Sequence, residues 1–100
     1  MDAIFRPEAE EEMLEARTWY EAKSPGLGLE FARAVESALH KAERHPAAYL
    51  RVAGECRRIL LRRFPYMLVF LPQDGGLIVV ACFHQRRDPG SLQARLSRES

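Results

Sequence analysis

The sequence predicts an α+β fold in which a helical hairpin packs on one face of a mostly antiparallel sheet, in the order β-α-α-β-β-β. Residues 7–45 carry apolar side chains at helical spacing, and Ser24-Pro25-Gly26 interrupts them once. Residues 56–83 form runs rich in Val, Ile, Leu and Phe, and Asp74-Gly75-Gly76 separates the last two as in a β-hairpin. Because 100 residues suffice for one modest core, residues 1–100 are predicted to form a single domain.

The first strand and the two helices follow from local signals. Ala3-Ile4-Phe5 is a short β-like run that Pro7 closes, and proline suits the first turn of a helix. The second helix starts near Leu27 and stops before Pro46, because a residue that precedes proline disfavours the helical region. The predicted inward positions are Ala9, Met13, Ala16 and Tyr20 in the first helix and Phe31, Val35, Ala38, Leu39 and Ala42 in the second.

Three further strands are predicted after a loop through Tyr49 and Gly54. They cover residues 56–64, 66–71 and 77–83, and Pro65 marks an edge, a bulge or a turn between the first two. Pro89-Gly90 then breaks the chain, and residues 92–96 are predicted to add one helical turn.

The charges are unevenly distributed along the chain. The first fifty residues carry ten acids and six bases, whereas the second fifty carry four acids and nine bases, so the net charge of +1 divides into −4 and +5. Such a protein has one face suited to phosphate or acidic protein and another suited to a basic partner. Thirteen of the 15 bases are arginines, which reflects either the fit of arginine to phosphate and carboxylate groups or the codon bias of a GC-rich genome.

The composition favours a cytoplasmic protein without membrane association. No run approaches the roughly 18 apolar residues of a membrane span, and Met1 is followed at once by Asp2 instead of a signal-peptide pattern. Cys56 and Cys82 lie singly in strand-like apolar surroundings, so both are predicted to be buried, reduced thiols.

Several short strings give residues 5–95 a family resemblance. Along the chain they are Trp19-Tyr20-Glu21, Ser24-Pro25-Gly26-Leu27-Gly28, Phe31, Pro46 with Tyr49, Arg57-Arg58, Arg63-Phe64-Pro65-Tyr66 and His84-Gln85-Arg86-Arg87-Asp88-Pro89. With these strings in this order and spacing, the chain resembles the RelE/ParE superfamily of toxins from bacterial type II toxin–antitoxin systems. It looks most like the ParE-type branch, whose members are often described as plasmid-stabilisation proteins.

The resemblance implies inhibition of growth by one of two routes. ParE-like members poison DNA gyrase and are not thought to catalyse a reaction, whereas RelE-like members enter the ribosome and cleave messenger RNA. The partners it implies are a cognate antitoxin, whose C-terminal segment wraps the toxin, and gyrase, or the ribosome and messenger RNA in the alternative. The assembly is expected to be a homodimer or a toxin–antitoxin hetero-oligomer. A third hypothesis is a degenerate member that binds a partner and is not toxic.

The sequence offers candidates for nuclease chemistry at the end of the last strand. Cleavage of RNA needs a base, an acid and cations around one phosphate. His84 is the candidate acid or base, and Arg58 and Arg62, four residues apart, are expected to share a strand face and clamp the phosphate. Alternatively, His84 only hydrogen-bonds the following turn and holds it rigid. No tyrosine follows His84 and the lysine-rich segment of ribosome-dependent members is missing, so the gyrase-directed hypothesis is favoured.

Two further groups of residues in the basic half receive predicted roles. The target is expected to be bound by exposed arginines, namely Arg58, Arg62, Arg63 and Arg86. A structural turn is expected at Arg87, Asp88 and Pro89, in which Arg87 pairs either with Asp88 or with the acidic first helix.

No metal or cofactor is predicted. His40 and His45 are five residues apart on a helix, where a shared site needs three or four, and Cys82 and His84 lack companions. Trp19 and Tyr20 are expected to pack within the helical hairpin, and the acidic residues 8–15 are expected to form a solvated helix face.

Overall fold

The computed structural model describes residues 2–99 and contains the predicted helical hairpin and sheet. Its elements are β1 Asp2–Phe5, α1 Pro7–Lys23, α2 Leu27–Arg44, a 3-10 turn Pro46–Ala48, β2 Arg51–Ala53, β3 Cys56–Leu60, β4 Tyr66–Gln73, β5 Gly76–His84 and α3 Pro89–Ser97. Within the described residues five strands form one sheet in the order β1-β5-β4-β3-β2. Only β1 and β5 run parallel among the strand pairs of this region, so the predicted α+β class with a mostly antiparallel sheet is confirmed.

Helices α1 and α2 bury their predicted inward positions against one face of the sheet. All five positions predicted for α2 are buried, as are Ala9 and Ala16 of α1. An aromatic cluster joins the hairpin to the segment before β4. Tyr20 stacks on Phe31 at 5.3 Å, and Phe64 meets both rings edge-on at 4.8 and 5.2 Å.

The junction between α1 and α2 is held by Glu21. Its carboxylate accepts hydrogen bonds from the backbone N–H groups of Gly26 at 3.1 Å and Gly28 at 3.0 Å. These groups begin α2, where unpaired N–H groups favour negative charge. Gly26 has a φ of 90°, a left-handed conformation that glycine adopts at little cost. The string from Trp19 to Gly28 therefore encodes a core aromatic, a cap and a helix-to-helix turn.

Helix α3 covers the opposite face of the sheet. Leu96 is buried there, and Leu92 packs beside it against side chains of β4 and β5. The helical turn predicted at residues 92–96 thus belongs to a longer helix, which forms a second apolar layer. In the part of the chain that the structure describes, no helix has both the length and the hydropathy to cross a membrane.

The strand predicted over residues 56–64 is too long, because β3 ends at Leu60. Leu61 and Phe64 are both buried in the core under the hairpin. Side chains three residues apart cannot share one face of a continuous strand, so the chain leaves the strand conformation between them. Arg63 has a φ of 72° in this turn.

Two other strand boundaries differ from prediction. The loop expected through Tyr49 and Gly54 contains β2, which pairs with β3 in an irregular register. A strand of three residues has no alternation that a sequence pattern can reveal. The hairpin loop is also shorter than expected, because Pro72 and Gln73 continue β4 up to a turn at Asp74 and Gly75.

The close approach of α1 and α2 predicts that Gly28→Ala destabilises the protein. A Cβ at this position would lie 2.9 Å from the backbone carbonyl oxygen of Arg17 and 2.9 Å from a carboxylate oxygen of Glu21. We expect the free energy of unfolding to fall by about 1–3 kcal/mol, as overpacking does. Thermal or urea unfolding measures it, with the exposed Ser37→Ala in α2 as the control, expected to change by less than about 0.5 kcal/mol. A more stable Gly28→Ala variant would show that helix propensity outweighs the contact.

Candidate functional site

A cleft of about 550 Å³ lies between α1 and the end of the sheet where β4 begins and β5 ends. The α1 residues along it recur at spacings of three and four and therefore form one stripe of the helix. The lining combines carboxylates, aromatic rings, a histidine, an arginine and three smaller side chains. Its residues are Glu12, Glu15, Ala16, Trp19, Tyr20, Pro65, Tyr66, Cys82, His84 and Arg87.

Glu12 connects α1 to β5 and to two arginines on one side of this cleft. Strand β1 pairs with β5 only as far as Val79. Beyond it, Glu12 Oε1 accepts the backbone N–H of Cys82 at 3.1 Å, and Arg95 Nη1 donates to the carbonyl of Val80 at 3.1 Å. Glu12 and Arg95 also pair at 2.7 Å, with side chains only 14% and 11% exposed. The pair thus satisfies backbone groups of β5 beyond the end of β1.

Arg87 is the second arginine bound by Glu12. Its Nη1 lies 3.0 Å from Glu12 Oε2, and its guanidinium lies 3.8 Å from the ring centre of Phe83. Of its two predicted partners, the acidic first helix is therefore the one observed. The hydrogen bond with Glu12 is also the main reason that the pKa of Arg95 is raised.

His84 makes the contact expected of a turn-stabilising residue. Its Nδ1 accepts the backbone N–H of Arg86 at 3.0 Å, and its carbonyl accepts the backbone N–H of Arg87 at 2.9 Å. The ring also meets Tyr66 edge-on at 5.2 Å. Because Nδ1 is an acceptor, the neutral ring carries its proton on Nε2.

The two cysteines are buried and free, as the sequence predicts. Burial raises the pKa of Cys82 to about 12, and the nearby Glu12 carboxylate adds to the rise. Burial also raises the pKa of Cys56. Both thiols are therefore protonated at neutral pH and are weak nucleophiles. Among residues 2–99, no three side chains of His, Cys, Asp or Glu are grouped so that they could hold a metal ion.

The three nuclease candidates lie on different surfaces. Arg58 is on the α3 face of the sheet, because it stands opposite Val69 of the core beneath α3. Arg62 follows the end of β3 and lines a small groove beside Lys41 of α2. His84 lines the cleft on the α1 side. The expectation that Arg58 and Arg62 share a strand face is wrong, because it required β3 to continue beyond Leu60.

The four arginines assigned to target binding differ in their surroundings. Arg63 Nη2 is 2.7 Å from Glu30 Oε1 of α2, on the protein surface. The side chains of Arg58, Arg62 and Arg86 make no hydrogen bond or ion pair with any residue that the structure describes. Of the four, Arg62 and Arg86 are exposed and therefore available to a partner, and Arg58 is half-buried with no partner among the described residues.

A comparison with protein families covers most of the chain. Residues 3–89 match the model of the ParE toxin of the type II toxin–antitoxin system parDE. The chain belongs to the ParE toxin family. The matched segment contains the hairpin, the sheet and the turn through Asp88, whereas all of α3 after Pro89 lies beyond it.

A comparison with solved structures supports the fold. A solved structure of a chromosomal ParDE TA system from P. aeruginosa has a TM-score of 0.69, at 11% identity, over 84% of this chain and 95% of that chain. At this identity the likeness supports the shared fold. No curated protein sequence matches the chain.

Two residues of this ParE-family cleft differ from their predicted roles. The solvated face expected over residues 8–15 is wrong at Glu12, which lies three residues after Ala9 and four before Ala16 and so falls on the inward stripe. This spacing from Ala9 and Ala16 is the feature of the sequence from which the burial of Glu12 could have been predicted. Trp19 was expected to pack within the hairpin, but it is 54% exposed and meets Tyr20 edge-on at the rim of the cleft.

The network around Glu12 predicts that Glu12→Ala destabilises the protein strongly. The substitution leaves the Arg95 guanidinium nearly buried without its carboxylate and leaves the N–H of Cys82 without an acceptor. We expect the free energy of unfolding to fall by about 2–3 kcal/mol. Chemical unfolding tests this against Glu11→Ala, an exposed neighbour expected to change stability by less than about 0.5 kcal/mol. Equal effects of the two substitutions would contradict the role of Glu12.

Proposed function

We propose that this protein is the growth-inhibiting toxin of a type II toxin–antitoxin pair, that it acts by binding DNA gyrase, and that a cognate antitoxin neutralises it. The observation that carries the mode of action is the separation of Arg58, Arg62 and His84 onto three surfaces. RNA cleavage needs a base, an acid and cations around one phosphate. Since these residues do not converge, binding is favoured over nuclease chemistry, and gyrase is the target that the resemblance to ParE-like toxins implies.

The available arginines support a binding mode of action. Arg58, Arg62 and Arg86 have no ion pair with any side chain that the structure describes, although the first half of the chain has an excess of acids. An unpaired guanidinium can make charge-assisted hydrogen bonds to a carboxylate or a phosphate of a partner. These arginines are therefore proposed to contact the target.

Neutralisation by a protein is supported by apolar groups that the fold leaves exposed. On the hairpin, Leu14, Trp19 and Leu29 are 47%, 54% and 46% exposed. Ile4 of the edge strand β1 is 65% exposed, and β2 forms the opposite edge of the sheet. Exposed apolar side chains and sheet edges are features that an extended or helical partner segment covers. The similar structure from P. aeruginosa is itself a ParDE TA system.

Induced expression in bacterial cells tests the mode of action. A gyrase-directed toxin leaves broken DNA, so we expect filamentation, induction of the DNA-damage response and intact transcripts. Purified protein added to gyrase and supercoiled DNA is expected to increase the amount of cleaved DNA. A DNA-damage reporter, mapping of transcript 5′ ends and a DNA-cleavage assay measure these results. Co-expression of the proposed cognate antitoxin is expected to restore growth.

Each alternative predicts a different result in the same cells. Transcripts cut within codons on translating ribosomes, without DNA damage, would establish a messenger RNA endonuclease. Normal growth together with stable binding of the antitoxin would identify a non-toxic partner-binding protein.

Substitution of the unpaired arginines is expected to affect toxicity with little change in the stability of the fold. We expect Arg58→Ala, Arg62→Ala and Arg86→Ala each to reduce toxicity while the free energy of unfolding changes by only about 0–1 kcal/mol. Arg87→Ala is expected to lower both, because this arginine pairs with Glu12 and stacks on Phe83. Growth after induction and thermal melting are the measurements.

A matched control for these substitutions is Arg17→Ala. Arg17 is an exposed α1 residue without an ion pair among the described residues, and it belongs to the acidic half of the chain. Its variant is expected to remain fully toxic. If the variants of Arg58, Arg62 and Arg86 are also fully toxic, the basic half is not the working surface and the hairpin becomes the candidate.

A further inference from the structure

The cleft between α1 and the ends of β4 and β5 has an aromatic wall. Trp19 stands at its rim, while the rings of Tyr20 and Tyr66 lie deeper with centroids 6.1 Å apart. Both tyrosine hydroxyls are protonated at neutral pH, as tyrosines ordinarily are, and burial raises their pKa further. Aromatic ring faces attract cations through their quadrupole. Such a wall fits an aliphatic side chain that ends in a positive charge.

Glu15 adds an unpaired carboxylate to this wall. Within the described part of the chain it has no ion pair or hydrogen bond, whereas Glu12 one turn earlier binds two arginines. The pKa of the Tyr66 hydroxyl is raised mainly by burial, then by Tyr20 and Cys82, and least by the charge of Glu15. A free carboxylate beside aromatic rings is a combination that recognises an ammonium or a guanidinium group.

Arg87, the arginine in the cleft lining, and His84 beside it already have partners. Arg87 is paired with Glu12 and stacked on Phe83, and Nδ1 of His84 accepts the N–H of Arg86. An anionic ligand would have to compete with a carboxylate that is already in place. The cleft therefore favours a cation over a phosphate or a carboxylate ligand.

The chain already places cations against aromatic rings in this region. Nζ of Lys23 lies 4.6 Å from the ring centre of Trp19, and the guanidinium of Arg95 lies 5.2 Å from that of Phe83. The cleft volume of about 550 Å³ lies within the roughly 300–1,000 Å³ typical of ligand sites, so a whole side chain can enter.

We propose that this cleft is a binding site for a lysine or arginine side chain, with the aliphatic part against Trp19, Tyr20 and Tyr66 and the charge on the Glu15 carboxylate. The proposal rests on the proposed neutralisation by an antitoxin and names the chemistry of one contact in it: a basic residue of the antitoxin's toxin-binding segment occupies the cleft. The acidic first half of the chain, with a net charge of −4, complements such a residue.

Because Trp19 is the only tryptophan, its signals report directly on the cleft. The probes are the peptides acetyl-Gly-Arg-Gly-amide and acetyl-Gly-Lys-Gly-amide, and the matched neutral control replaces arginine with citrulline. We expect the basic peptides to change the fluorescence and the indole Nε1–H NMR shift of Trp19 saturably, with a Kd on the order of millimolar. The citrulline peptide is expected to bind at least roughly tenfold more weakly, since it lacks the charge.

Glu15→Gln separates the charge from the shape of the site. Glu15 is exposed, so the variant is expected to melt like the wild-type protein and to bind the arginine peptide roughly three- to tenfold more weakly. Glu11→Gln removes an equivalent exposed charge of α1 outside the cleft lining and is expected to leave binding unchanged. Excess antitoxin is expected to displace the peptide from the wild-type protein.

Three results would overturn the cation site: no change at Trp19 with either basic peptide, equal binding of the citrulline peptide, or unaltered binding to Glu15→Gln. Restoration of growth by the antitoxin is scored separately in cells. If the antitoxin restores growth but the peptides do not bind, the proposed function stands and the cation site fails. If the peptides bind but the antitoxin neither binds nor restores growth, the proposed neutralisation fails.

Discussion

One ion pair completes the edge of the sheet where β1 is shorter than its neighbour β5. Strand β1 covers β5 only as far as Val79, and an uncovered strand edge with apolar side chains would leave peptide groups unsatisfied or open to aggregation. Glu12 and Arg95 occupy that position and bind the backbone of β5 at Cys82 and Val80. Because the two residues come from α1 and α3, the same contact joins the helical layers on the two faces of the sheet.

The arginines of the basic half differ in whether Glu12 binds them. Arg87 and Arg95 share one carboxylate and flank the ring of Phe83, so their charges contribute to stability. Arg58 and Arg62 lie on different sides of β3, where no acid of the described residues reaches them. The charged side chains that line the cleft are the carboxylates of Glu12 and Glu15 and the guanidinium of Arg87, so the lining has one more acidic than basic side chain, which suits the proposed cation.

The sequence predicted the parts of this fold in which burial follows a regular period. The stripe on α2 was recognisable because Phe31, Val35 and Ala42 recur at helical spacing and all meet the sheet. The end of β3 was not recognisable from the sequence, because apolar side chains continue through Phe64 while the backbone changes direction. The site was less predictable than the fold. The sequence left two alternative partners for Arg87, and the first helix was one of them. The burial of Glu12 depends on partners about 70 or more residues distant along the chain, which no local pattern reveals.

The string Trp19-Tyr20-Glu21 was recognised in the sequence, but the exposure of Trp19 at the cleft was not predicted from it. Adjacent residues of a helix point about 100° apart, so Trp19 and Tyr20 project from α1 in different directions. Tyr20 lies in register with Ala16 and Ala9 and stacks on Phe31, which leaves the larger ring at the rim. Trp19 is nevertheless in contact with the hairpin, because its ring meets Tyr20 edge-on at 5.0 Å and Nζ of Lys23 lies 4.6 Å from its centre. The part of the ring that stays exposed lines the cleft with Glu15, and this is the surface that the proposed cation site uses.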